Sequence, residues 1–160
     1  MLKALFPGVE HLQNVHPLFV HFPIAFLAGA SLFYLLAWRF RKESLATTAF
    51  SLLVLGALAS AAAAGTGLYA EPGVMVSRSV RTRLLQEHKE LMLWTSGLSI
   101  VLALWAASFR PFPQKGRPLF LLMLLVLLAV MSLGVDYGAR MVYDYNAGGS
   151  ACPQPIEFSR

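Results

Sequence analysis

The chain has 160 residues, of which 57% are hydrophobic and 13% charged. Soluble domains carry about a quarter charged residues, so this composition excludes one. Four runs stay nearly free of charge for the ~20 residues that a helix needs to cross a bilayer, which marks an integral membrane protein. The net charge of +5 gathers between those runs. Basic residues there set topology, so the charge is no argument for nucleic acid as a partner.

Residues 1–15, MLKALFPGVEHLQNV, lack both a continuous apolar core and a small-residue cleavage site. No removable signal peptide is expected, and the first membrane helix serves as its own insertion signal. That helix is predicted over residues 17–38, with Pro17 at the first helical position, where a missing N–H costs nothing. Arg39, Arg41 and Lys42 end it. Helix two covers residues 46–70 and stops before Glu71-Pro72-Gly73, a turn signal. Helix three covers residues 88–109, ahead of Arg110-Pro111, and helix four residues 118–143. The expectation is a single all-α domain, an integral membrane four-helix bundle spanning residues 1–160.

Basic residues after helix one and in PFPQKGR after helix three lie on one side. The positive-inside rule puts them in the cytoplasm and both termini on the extracytoplasmic side. Arg78, Arg81, Arg83 and Lys89 run against that rule, since they fall on the predicted outer side. On helix two, Gly56, Ser60, Ala63 and Gly67 recur at helical spacing. Small residues so placed let a neighbouring helix approach closely, and packing is the preferred reading of them.

The four histidines, His11, His16, His21 and His88, all fall at one end of the expected bundle. Ionisable groups in a membrane are costly and by default functional. Counting back at ~1.5 Å per residue puts His16 and His88 at comparable heights and His21 somewhat deeper. Histidines on two helices can clamp a b-type haem, one imidazole on each side of the iron. Either His21 or His16 can stand opposite His88. Ala25, Ala28 and Gly29 on helix one and Met92, Thr95, Ser96 and Ser99 on helix three leave room for a flat macrocycle. Arg81 and Arg83, with Arg78, suit haem propionates. The bland alternatives are a cap for His16, a polar anchor for His11 and a solvated face for the arginines.

Asp136 and Arg140 stand four apart on helix four, the spacing of a structural ion pair. Arg140 is alternatively a partner for a propionate or a quinone head group, and Asp136 a proton carrier. Tyr137, Tyr143 and Tyr145 read as an interfacial belt. Cys152 stands alone, and no CxxCH attaches a haem covalently. A zinc or copper site of His16, His21 and His88 ranks lower, because residues five apart on a helix point about 140° apart. No GxSxG, HExxH or Walker-type motif appears, so hydrolysis and phosphoryl transfer have no support.

HPLFVHFPIAF, the histidine heading helix three and DYGARMVYDYNAG together resemble the domain-of-unknown-function 2231 family of small four-helix bacterial membrane proteins. The family's HPxxVHFP is met at His16, Pro17, Val20, His21, Phe22 and Pro23. Its relatives are sometimes joined to Rieske-type or cytochrome modules, so the resemblance implies a redox setting. The family's usual histidine near the end of helix four is replaced here, where Tyr143-Asp144-Tyr145-Asn146 stands. That departure leaves ligands for at most one haem. The leading expectation is a cytochrome b-like subunit for electron transport, binding haem b and meeting membrane lipids, quinone and other redox subunits such as Rieske or cytochrome proteins. The alternative is a cofactor-free accessory subunit, docking through the small face of helix two. Either is a subunit rather than a stand-alone enzyme.

Overall fold

A computed structural model describes residues 14–109 and 111–147. His11, Arg110 and Cys152 lie outside the described residues. Four helices are long and apolar enough to span a membrane: α1 (His16–Phe40), α2 (Glu43–Gly73), α3 (Arg78–Ser108) and α4 (Arg117–Tyr145). The described residues hold no strand. The all-helical membrane bundle expected from composition is what the chain forms.

The helix ends follow from local chemistry. α1 opens with the turn His16–Phe19, with Pro17 in its first positions, and continues as His21–Phe40 beyond Val20. Pro23 lacks the N–H that would bond back to Phe19, which explains the interruption. Arg41, left-handed at φ 54°, ends α1. Glu43 stands in the first turn of α2, complementing the positive end of the helix dipole. α2 closes through a 3-10 turn over Glu71–Gly73. α4 begins after Gly116, whose φ of 76° suits glycine. It ends at left-handed Asn146, with Ala147 N–H donating to the Met141 carbonyl at 2.9 Å.

α3 departs from expectation by starting ten positions earlier, at Arg78 rather than near residue 88. Ser77 caps it by accepting from Val80 N–H, and a π-helical turn over Arg81–Leu85 follows. Val80, Leu84 and Leu85 are buried with Met141, so this turn has an apolar face that its arginines conceal in the sequence.

Consecutive helices run antiparallel, and two different ends result. At one end Tyr34 is fully buried and donates its hydroxyl proton to the Pro111 carbonyl at 3.1 Å. Its ring packs at 5.0 Å on both Phe112 and Phe120, and Trp105 meets Phe120 edge-on at 5.4 Å. The middle holds Leu27, Leu53, Leu102, Leu124 and Leu127. A Cβ at Gly56 would stand 2.5 Å from a Leu27 methyl, so glycine lets α1 and α2 close up. Ser60 and Ser99 place their hydroxyl oxygens 2.9 Å apart, a polar link between α2 and α3. Gly56 and Ser60 therefore face the bundle interior and do not form an outward docking face. Leu32, Leu58, Leu104 and Leu125 are among the apolar side chains that face outward, as lipid contact requires. The other end is open.

Candidate functional site

The open end holds a cavity of about 420 Å³ with largely apolar walls. All three described histidines line it. Ligand and cofactor sites occupy ~300–1,000 Å³ and are mostly apolar with a few placed polar groups, so this cavity is of that kind.

His88 is half-buried, and its Nδ1 lies 2.7 Å from the Gly134 carbonyl of α4. A carbonyl only accepts, so Nδ1 carries the proton and neutral His88 has its lone pair on Nε2. His16 reaches the same state by a different route. Its Nδ1 lies 3.2 Å from Thr66 Oγ1 on α2, and that hydroxyl donates to the Ala63 carbonyl at 3.0 Å. The threonine proton is thereby committed, so Nδ1 donates to it and Nε2 keeps the lone pair.

Each ring also rests on a glycine. A Cβ at Gly67 would stand 3.0 Å from His16 Cε1, and one at Gly138 would stand 2.9 Å from His88 Cε1. The two hairpins thus repeat one device. In each, a histidine of the first helix is tied through Nδ1 to the second helix and seated on a glycine there.

His21 lines the cavity as well, but its side chain is exposed and its Nδ1 bonds back to the Pro17 carbonyl at 3.0 Å. That acceptor is on its own helix, so no other helix orients the ring. The four named arginines are elsewhere, and Arg78 is exposed and does not line the cavity. Arg81 donates to the Val74 carbonyl at 2.6 Å and to that of Glu71 at 3.4 Å, tying down the α2–α3 turn. Arg83 is exposed and does not line the cavity. Arg140 pairs with Asp144 at 3.9 Å, and Asp136 is exposed, which corrects the expected Asp136–Arg140 pair. Both partners of the observed pair are about half exposed, and pairing toward the water end costs these charges less than pairing deeper in the span. The cation on the cavity wall is Lys89, bonded to Glu71 at 2.9 Å.

Among the described residues, no three of His, Cys, Asp and Glu are placed to hold a metal ion. The three-histidine zinc or copper reading therefore loses its geometry. Two imidazoles are too few for such an ion, which takes three or four protein ligands. They are the right number for a porphyrin iron, whose macrocycle supplies the other four bonds. Sequence reasoning named the histidines but missed Thr66, Gly134, Gly138 and the Lys89–Glu71 pair. The glycines were the available signal, since each stands on the helix following its histidine.

The family model described as "Predicted membrane protein (DUF2231)" matches residues 12–151. The chain belongs to this family. The DUF2231 match takes in all four helices, and with them the described wall of the cavity. No curated protein and no solved structure matches the chain.

Proposed function

We propose that the protein is a b-type cytochrome subunit in which His16 of α1 and His88 of α3 would ligate the iron of one haem. The observation that carries this reading is the pair of imidazoles on one apolar cavity, each with Nδ1–H bonded and Nε2 available. Ligating histidines are ordinarily oriented by such a bond from the other ring nitrogen. His16 is preferred to His21 because α2 fixes its ring, whereas among the described residues the ring of His21 is tied only within α1. When bound, the iron would supply one-electron transfer. The chain's own part is to fix two nitrogens, line the space between them with apolar walls and seat the two imidazoles on Gly67 and Gly138. Its partners in this reading are a quinone or a redox subunit in the same membrane. In this reading the cavity faces the extracytoplasmic side of a bacterial inner membrane, a side that the basic ends of α1 and α4 favour under the positive-inside rule.

The test is the spectrum of protein purified in mild detergent after haem-replete expression. One low-spin haem per chain is expected, lost on His88→Ala and on His16→Ala. Protein that folds but carries no haem, and takes none up on titration, refutes the proposal.

A further inference from the structure

At the opposite end of the bundle, Trp38, Arg39, Arg41 and Arg117 line a second cavity, of about 270 Å³. Arg39 lies in the last turn of α1, Arg41 in the α1–α2 link and Arg117 at the start of α4. Three cations on so small a space repel one another, and among the described residues no carboxylate pairs with any of them. Among the described residues, Arg117 is held by neutral groups. It donates to the Pro113 carbonyl and to Gln114 Oε1, and its guanidinium lies 4.7 Å from the Phe112 ring centroid. Arg41 takes a left-handed conformation that side chains other than glycine and asparagine rarely adopt.

The geometry points to a seat for an anionic phospholipid, its phosphate among the three guanidinium groups and its glycerol against Trp38. Guanidinium forks match phosphate oxygens bidentately. Basic pockets between membrane helices on the cytoplasmic side suit such head groups. The pocket's height argues for a lipid rather than a soluble anion. It stands where two apolar spans end, and Trp38, half exposed, has the place of an interfacial anchor. This inference is independent of the histidine cavity.

The test is native mass spectrometry of the full chain, equilibrated in mild detergent with equal amounts of phosphatidylglycerol and phosphatidylcholine. Wild type is expected to retain one phosphatidylglycerol in preference. Arg41→Gly removes one charge and puts at the left-handed position the residue that suits it, so folding is preserved. It should cut retention about fivefold, the order of effect of one basic residue at an anionic surface. Adding Arg117→Gln should abolish the preference. Lys115→Gln removes an equal charge from the α3–α4 link, outside the pocket, and should leave retention unchanged. Equal retention of the two lipids overturns the inference, as does an undiminished preference in the double variant. A loss on Lys115→Gln as large as on Arg41→Gly would show bulk charge at work, and full displacement by inorganic phosphate would show a free-anion site. Either overturns the lipid assignment.

Discussion

Gly138→Ala is the substitution whose consequence the structure fixes most closely. The new methyl would stand 2.9 Å from His88 Cε1 and 3.1 Å from its Nδ1. Carbon atoms pack best at about 3.5–4.0 Å, so the ring must retreat by roughly half an ångström or more. It cannot do so freely, because Nδ1 is tied to the Gly134 carbonyl at 2.7 Å. That bond is stretched or lost, at a net cost of about 1 kcal/mol. Replacing a mid-helix glycine by alanine returns roughly 0.5–1 kcal/mol through helix propensity. Stability is therefore expected to stay nearly level while the ring loses its mooring. Loss of the bond that orients a ligating histidine typically lowers metal affinity about 10–100-fold, and that is the loss expected in haem titration of the purified apoprotein. Gly97→Ala is the matched control. Its methyl would meet nothing within 4 Å, so it should leave haem affinity unchanged and raise the melting temperature slightly. Wild-type haem affinity in Gly138→Ala would refute the argument that the glycine seats the ring.

Three further substitutions follow from contacts already described. Thr66→Val removes the acceptor of His16 Nδ1 and should weaken haem binding about tenfold, with the fold intact by circular dichroism. Tyr34→Phe deletes a buried bond to the Pro111 carbonyl and should cost about 1 kcal/mol, read as a lower melting temperature with haem binding unaffected. Arg81→Gln cuts the charged bond to the Val74 carbonyl, worth about 1.5–3 kcal/mol, and should speed amide hydrogen exchange around residues 71–80.

The four spans were legible because charge-free runs of that length have no other stable use in a membrane protein. The start of α3 was not. Arg78, Arg81 and Arg83 read as loop, whereas Ser77 caps a turn whose apolar side chains are buried against α4. The histidines were legible as a kind of residue but not as a chosen pair. Height matched His16 to His88 while depth beneath the membrane surface favoured His21; what orients a ring is the acceptor beside it, and Thr66 lies 50 positions from His16. Pattern gave no access to such a contact. The same limit explains Arg140, where spacing permitted both Asp136 and Asp144, and the observed partner is the one toward the water end. Arg81 lent itself to propionates only while its backbone acceptors were unknown.

Electron paramagnetic resonance of the ferric, haem-loaded protein tests the central claim most directly, because it reports the number and kind of axial ligands. Wild type and His21→Ala should both give a low-spin signal of two imidazoles. His16→Ala and His88→Ala should turn high-spin or lose haem, and added imidazole should restore the low-spin signal wherever haem is retained. A low-spin signal unchanged in His16→Ala, or lost in His21→Ala, would contradict the pairing of His16 with His88.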